Sequence, residues 1–154
     1  MRKLFVAIGL LAAAGVMISS YALWQHFAPA GSGFCNVSGR ISCDLVNQSQ
    51  YSEIFGIPVS LIGIIGYTAL LVLALAVVFD AGHAHEYLPW LLAGSIGALG
   101  FSLYLTYLEL FVIGAICILC VASQAIIIVI TGATGFAYRS ARRDAPVTLF
   151  NTRC

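Results

Sequence analysis

Four cysteines in two pairs are the residues of this sequence whose types and spacing could do chemistry. Cys117 and Cys120 form a CxxC pair within an uncharged run from Leu110 to Tyr138, and Cys35 and Cys43 lie in a polar segment earlier in the chain. A CxxC pair can close a small disulfide ring or bind zinc, but zinc needs two more ligands, and no His, Asp or third Cys lies close to this pair in sequence. We therefore predict dithiol–disulfide chemistry inside a membrane and no metal site.

The composition is that of a membrane protein. Hydrophobic residues make up 61% of the 154 residues and charged residues only 8%, and the mean hydropathy is +1.00, whereas about 25% of residues are charged in an ordinary soluble domain. There is room for one compact membrane domain and none for a sizeable soluble domain. The net charge is +1 and Lys and Arg form no dense cluster, so nucleic acid is not an expected partner.

Apolar runs of about 20 residues, long enough to cross a bilayer as helices, predict an all-α fold, an integral membrane four-helix bundle. The predicted spans are residues 4–27, 57–79, 88–108 and 110–131. Spans three and four come from one apolar run, which we divide at Glu109 because it is the only charge there. A cleaved signal peptide ending near Ala22 is the alternative for the first run, but its length and the aromatic residues at its end favour a retained span.

A polar loop, residues 28–56, joins spans one and two and carries Cys35 and Cys43. Of the seven Lys and Arg residues, six lie near the two ends of the chain and only Arg40 lies in the loop. By the positive-inside rule both termini are cytoplasmic and the loop is extracytoplasmic, in a periplasm-like space where disulfides persist. Residues 1–138 then form the membrane domain, and residues 139–154 form a cytoplasmic tail.

The predicted topology places both cysteine pairs on the same side of the membrane. If the fourth span begins near Leu110, a rise of about 1.5 Å per residue puts Cys117 and Cys120 roughly 10–15 Å below the outer surface. A soluble protein reaches that depth with difficulty, but the loop that carries Cys35 and Cys43 could dip towards it. One accessible pair and one buried pair predict an electron relay.

Small and polar side chains share helix faces near the CxxC pair. Ser60, Gly63 and Tyr67 share a face of the second span, and Gln124 continues the face of Cys117 and Cys120 on the fourth. Such stripes often only pack membrane helices, but a buried amide such as that of Gln124 needs a partner. We predict a pocket for a lipid-soluble electron acceptor, and a quinone is suitable because it takes two electrons, the number that one dithiol gives.

The sequence resembles the vitamin K epoxide reductase (VKOR) family, particularly its bacterial members, from the first span through the fourth. The matching residues are, in order, Cys35, Cys43, the stretch from Tyr51 to Ser60 with its FGIPVS segment, Gly63, Tyr67 and the Cys117–Cys120 pair. The four cysteines in this order together with FGIPVS are far more specific than a CxxC pair alone.

This resemblance implies a bacterial inner-membrane enzyme that supports disulfide bond formation, built around a quinone of the ubiquinone, menaquinone or vitamin K type. It implies that Cys35 exchanges with a thioredoxin-fold, DsbA-like protein, that Cys43 passes electrons to Cys117, and that Cys120 meets the quinone. The quinone contacts expected on this basis and from the helix faces are Ser52, Phe55, Ser60, Gly63, Tyr67 and Gln124.

Two departures from the family pattern refine these expectations. The sequence ends after a short tail rather than in the thioredoxin-like domain that many bacterial members carry, so we expect the partner to be a separate protein. Animal members have a tyrosine four residues after the second CxxC cysteine, where this chain has Gln124. This favours plain quinone reduction, with vitamin K epoxide reduction as the alternative.

Other residues carry weaker hypotheses. His83 and His85 could bind a metal as an HxH pair, but a solvated turn explains them better. A soft-metal carrier is the rival functional class, but such a carrier usually has Met or His ligands along its path, and Met1 and Met17 are the only methionines in the sequence. Glu109 could relay a proton to a quinol or simply mark a turn at the membrane surface. His26 is expected at the outer interface, and Cys154 is assigned no role.

Overall fold

The computed structural model describes residues 2–29, 42–47, 49 and 52–144. In chain order its elements are the helix α1 (Arg2–Phe27), the short helix α2 (Cys43–Asn47), the strands β1 (Glu53–Ile54) and β2 (Ile57–Pro58), and the helices α3 (Val59–Phe79), α4 (Ala84–Leu108) and α5 (Ile118–Asp144). A 3-10 turn (Ala81–His83) precedes α4 and a π-helical turn (Glu109–Ile113) follows it. The predictions made for Cys35, Arg40 and Cys154 lie outside the described residues.

The four long helices α1, α3, α4 and α5 are each long and apolar enough to cross a membrane. Each contributes to one apolar core, in which Ile8, Leu70, Leu91 and Ile127 are almost fully buried. The outward faces carry many exposed Leu, Ile, Val and Phe side chains, as expected for a surface that meets lipid rather than water. The predicted all-α membrane bundle is confirmed.

Helices α1 and α3 approach closely where a glycine faces an aromatic ring. A Cβ atom added at Gly15 would lie 2.4 Å from the Tyr67 ring, a distance at which one of the two would have to move. Small residues allow this kind of close approach between membrane helices. Because Gly15 has no side chain, the Tyr67 ring can lie directly against the backbone of α1.

The predicted boundary between spans three and four at Glu109 is wrong. The Glu109 side chain is buried, the chain continues through the π-helical turn to Ile113, and it reverses at Gly114, whose φ of 68° lies in the left-handed region. A left-handed conformation costs glycine little, so Gly114 can end the helix inside an apolar run. Glu109 does not mark a surface turn, because its carboxyl group points into the protein.

Because the chain reverses at Gly114, the CxxC pair lies at the beginning of the last helix. Cys117 immediately precedes α5 and Cys120 lies in its first turn, so the depth calculated from a helix start at Leu110 does not apply. Helix α5 also extends to Asp144, so the first part of the predicted tail is helical. At the other boundary, β2 occupies Ile57–Pro58 and the second long helix begins at Val59.

The segment between α1 and α3 forms a cap, which we define as residues 42–47, 49 and 52–58. Strands β1 and β2 pair antiparallel, with Glu53 opposite Pro58. The end of α1 is joined to both parts of this cap by one side chain: His26 Nδ1 lies 2.6 Å from the carbonyl oxygen of Asn47, and Nε2 lies 3.1 Å from Glu53 Oε1. His26 therefore holds α2 and β1 against the end of α1.

Candidate redox site and cavity

The structure brings a cap cysteine and a helix cysteine into contact. The Sγ atoms of Cys117 and Cys43 are 3.4 Å apart, and both residues are fully buried. Cys43 is disulfide-bonded, whereas Cys117 and Cys120 are free thiols. A free thiol thus lies against a sulfur that is already part of a disulfide, which is the arrangement that thiol–disulfide exchange requires.

Local structure positions each of these sulfur atoms. The Ser42 hydroxyl accepts a hydrogen bond from the Leu45 backbone N–H at 3.3 Å, which caps α2 and fixes its first residue as Cys43. On the other side, the turn at Gly114 directs Cys117 towards α2. Val46 and Ala115 are buried around the two sulfur atoms, so water has little access to this contact.

Next to Cys120, the bundle contains a cavity of about 410 Å³. The cap and all four long helices line it; its polar members include Ser19, His26, Asn47, Ser49, Ser52, Ser60, Tyr67, Ser102, Thr106, Glu109, Cys120 and Ser123. Most of the remaining lining is aliphatic. A largely apolar cavity of this size with a few polar groups is typical of a site for a small organic ligand.

Four of the six residues expected to contact a quinone line this cavity, namely Ser52, Ser60, Gly63 and Tyr67. The two others do not. Phe55 has a positive φ of 54° in the turn between β1 and β2, and its side chain is fully exposed. Gln124 is partly buried beside the cavity, where its side-chain oxygen accepts a hydrogen bond from Ser102.

Tyr67 is held in place on two sides. Its ring lies against Gly15 of α1, and its hydroxyl donates to the Ser123 carbonyl oxygen on α5 at 2.9 Å, with Ser123 Oγ at 2.8 Å. The ring therefore joins three helices at the wall of the cavity. Both Tyr67 and Ser123 also line the cavity, so this bond fixes the shape of the site.

Asn47 is a cavity residue that sequence reasoning missed. Its side-chain Nδ2 is buried and has no hydrogen-bond partner among the described residues. An unpaired buried amide N–H is costly, and a carbonyl oxygen in the cavity would pair it. The residues present therefore fit a ligand that carries carbonyl oxygens on an apolar ring, as a quinone does. No sequence signal singled out Asn47 among the Asn and Gln residues of the loop.

Glu109 also occupies a position that differs from expectation. Its side chain is only 4% exposed, and its carboxyl group contacts the Cys120 side chain and the backbone of Cys117. Glu109 lines the same cavity as Cys120. A carboxyl group and a thiol of the CxxC pair therefore lie side by side at the wall of one site.

The two histidines of the HxH pair lie at the opposite end of the bundle, where His83 ends the exposed 3-10 turn and His85 lies in the first turn of α4. His83 Nδ1 lies 3.0 Å from Asp80 Oδ2, and the hydrogen bond to Asp80 and the charge of that carboxylate raise the pKa of His83. A raised pKa widens the pH range in which the ring is protonated, and only the neutral ring binds metal. These residues are a solvated turn, remote from the cysteines.

One comparison with known proteins bears on this arrangement. The family model described as "Vitamin K epoxide reductase family" matches residues 6–134. The match begins in α1, ends in α5, and includes both cysteine pairs and every residue named above as lining the cavity.

Proposed function

Because the chain belongs to the vitamin K epoxide reductase family, we propose that it is a membrane thiol oxidoreductase that transfers two electrons from a thioredoxin-fold partner to a quinone. Family membership makes it a membrane oxidoreductase of disulfide-related chemistry. The observation that carries the finer proposal is the 3.4 Å separation between the sulfur atoms of Cys43 and Cys117. Reacting atoms about 3–3.5 Å apart are in the range of a near-attack arrangement.

The relay begins at the cap. The proposed disulfide partner of Cys43 is Cys35, and their bond is called the cap disulfide. A reduced partner protein attacks Cys35 and opens this bond, gives up two electrons and leaves with its own disulfide. The freed Cys43 thiolate then attacks Cys117 of an oxidised Cys117–Cys120 pair, forming a Cys43–Cys117 bond and releasing the Cys120 thiolate. Attack of Cys35 on Cys43 restores the cap disulfide and leaves Cys117 and Cys120 reduced. The disulfide-bonded Cys43 beside two free thiols corresponds to this last stage.

The second half of the reaction takes place at the cavity. When bound, a quinone accepts two electrons and two protons and leaves as a quinol, so one turnover matches one Cys117–Cys120 disulfide. Cys120 reaches the cavity wall, whereas Cys117 is fully buried beside the cap. This difference supports Cys43 as the partner of Cys117 and the quinone as the partner of Cys120. Asn47 Nδ2 is available to donate to a quinone oxygen.

The orientation of the protein in the membrane follows from its charge distribution, and the direction of electron flow follows from the chemistry of the compartments. Arg2 and Lys3 at the start of α1, and Arg139, Arg142 and Arg143 near the end of α5, are the described Lys and Arg residues, and they lie far from the cysteines. We infer that this basic end is cytoplasmic and that the cap faces an oxidising periplasm. Respiration re-oxidises quinol, so the net reaction there is disulfide formation in secreted proteins through a DsbA-like partner.

The test uses the purified full-length protein, a reduced thioredoxin-fold protein and a water-soluble quinone, with quinone absorbance as the readout. We expect quinone loss with formation of one partner disulfide per quinol. In the same assay, Cys35→Ser should prevent reduction by the protein partner but permit reduction by dithiothreitol, a small dithiol that can attack Cys120 from the cavity. Quinone reduction at the normal rate by Cys120→Ser would overturn the assigned terminal step.

A further inference from the structure

The buried carboxyl group of Glu109 has no role in the electron relay described above. Its side chain is 4% exposed, and none of the ion pairs among the described residues involves it. The Lys and Arg residues that the structure describes lie at the other end of the bundle. A carboxyl group buried in a membrane protein without a cation beside it is expensive, and such residues commonly mark proton or ion pathways.

The surroundings of Glu109 place it between the thiols and the ligand cavity. The carboxyl group contacts the Cys120 side chain and the Cys117 backbone, and its charge also acts on the Cys117 thiol. Glu109 and Cys120 line the same cavity. Helix α4 departs from α-helical geometry at Glu109, where the π-helical turn begins, and such turns occur frequently at functional sites.

We propose that Glu109 is a catalytic proton carrier, taking the thiol protons of Cys120 and Cys117 and delivering them to the quinone oxygens. This proposal rests on the proposed function. Formation of the Cys117–Cys120 bond releases two electrons and two protons. The electron pair leaves through Cys120, while Glu109 accepts the Cys120 proton, donates it into the cavity, and then carries the Cys117 proton in the same way. Glu109 ends each turnover in the protonation state in which it began.

Water does not have to enter the site for this transfer. A thiolate formed in an apolar setting is costly unless its proton has an acceptor within reach. A carboxylate at the cavity wall is such an acceptor, and the same atoms can then donate to a bound oxygen. Because neither Cys43 nor Cys117 lines the cavity, proton transfer through Glu109 is needed for quinone reduction and not for exchange with the cap.

Glu109→Gln keeps the shape of the side chain but cannot carry a proton, so it is the main test. General acid–base catalysis typically contributes about 10²–10⁴-fold, and we expect quinone reduction by the dithiothreitol-reduced variant to slow by at least about 100-fold. The second readout is the Cys43–Cys117 bond that accumulates when Cys120 is replaced by Ser. Its yield should be the same with Glu109→Gln added, because exchange at the cap does not use the carboxyl group.

Three companion variants separate proton transfer from a structural role. Glu109→Asp should retain a larger share of the rate than Glu109→Gln, and added formate should raise the rate of Glu109→Ala in proportion to its concentration. Glu86→Gln removes the exposed carboxyl group at the other end of α4 and should reduce quinone at the normal rate.

The proposal is overturned if Glu109→Gln reduces quinone within about threefold of the wild-type rate, a smaller loss than proton transfer should give. It is also overturned if adding Glu109→Gln to Cys120→Ser lowers the yield of the Cys43–Cys117 bond by the same factor by which Glu109→Gln alone lowers the rate of quinone reduction. Glu109 would then only support the structure. Absence of quinone reduction by the wild-type protein would instead refute the proposed function itself.

Discussion

The contact between Cys43 and Cys117 determines which sulfur atoms can form the first bond between cap and bundle. Cys43 Sγ and Cys117 Sγ are 3.4 Å apart, while Cys120 faces the cavity. Both sulfur atoms in contact are buried, so an external thiol has poor access to them. A loop-to-helix disulfide should therefore join these two cysteines selectively.

Replacing Cys120 by Ser should trap this bond. Without Cys120, Cys117 has no helix partner with which to form a disulfide, so its thiol can attack Cys43 of the Cys35–Cys43 disulfide and release the Cys35 thiol. We expect the resulting Cys43–Cys117 bond to be the main loop-to-helix bridge. Peptide mass spectrometry of the alkylated, unreduced variant measures it. Cys117→Ser is the matched control and should give no such bridge with Cys43. A dominant Cys35–Cys117 bridge would reverse the roles of the two loop cysteines.

The unpaired amide of Asn47 gives a second expectation for a single side chain. Asn47→Leu keeps a comparable volume but removes the buried Nδ2 donor. Losing one hydrogen bond to a ligand oxygen costs about 0.5–1.5 kcal/mol, so the KM for quinone should rise by about two- to tenfold.

The control for Asn47→Leu is cap integrity. His26 binds the backbone carbonyl oxygen of Asn47 rather than its side chain, so the cap should remain attached. An unchanged yield of the trapped Cys43–Cys117 bond would report this. Unchanged quinone kinetics with an intact cap would mean that the amide does not meet the ligand.

Sequence reasoning identifies the cysteines because their chemistry is a property of residue type and spacing. Asn47 is different, since an amide is informative only when folding leaves it unpaired. For Glu109 the sequence left two interpretations, a proton relay or a surface turn, and its burial excludes the surface turn. Phe55 shows the opposite case: it belongs to a motif that supports the family resemblance, yet its backbone turns the ring outwards.

For the long helices, the sequence predicts that they exist more reliably than it predicts where they begin and end. The first two long helices begin and end within about two residues of expectation, because polar segments flank them. Inside the long apolar run the hydropathy is uniform, so it does not reveal where a helix ends, and the lone charge of Glu109 suggested the wrong position. The break depends on the left-handed backbone of Gly114. The run contains other glycines, and the sequence does not show at which of them the helix ends.

The close approach of α1 and α3 should make Gly15 intolerant of even one added carbon. A Cβ at Gly15 would lie 2.4 Å from the Tyr67 ring, and overpacking of this kind costs about 1–3 kcal/mol. Gly15→Ala should therefore lower the Tm of the detergent-solubilised protein by several degrees. Quinone reduction should also fall, because a displaced Tyr67 loses its hydrogen bonds to Ser123.

Gly100→Ala is the matched control, since a Cβ at that position meets nothing within 4 Å. It should leave the Tm unchanged or raise it slightly, because Ala favours helix over Gly. Equal Tm values for Gly15→Ala and Gly100→Ala would contradict the packing described for α1 and α3.

In the whole molecule, the redox residues and the positively charged residues that the structure describes lie at opposite ends of the bundle. The described cysteines and the main cavity lie near the end of α1 and the start of α5, and the described Lys and Arg residues lie at the opposite ends of these helices. Composition and apolar run lengths were sufficient to predict this architecture, because lipid requires nearly continuous apolar helices. They do not predict the cap, whose form depends on tertiary contacts such as those of His26.

A reporter fused after Arg143 tests the orientation inferred from this charge distribution. We expect activity from a reporter that functions in the cytoplasm and none from one that functions only in the periplasm. The paired control is the same reporter inserted between Phe27 and Ser42, which should give the reverse result. Periplasmic activity of the first fusion would invert the topology and, with it, the compartment assigned to the cysteines.

The π-helical turn at Glu109–Ile113 implies that the length of this part of the chain is itself under constraint. A π-helical turn accommodates one more residue than the α-helical turn it replaces, and each residue of an α-helix advances the direction by about 100°. Deleting any single residue from 110–112 would convert this turn into an α-helical one and leave Gly114 in nearly the same direction, whereas inserting one apolar residue there would exceed what the turn already accommodates. After the insertion, Gly114 would emerge about 100° away, and Cys117 would point away from the cap. An insertion that changes no existing side chain would thus disconnect the two halves of the relay.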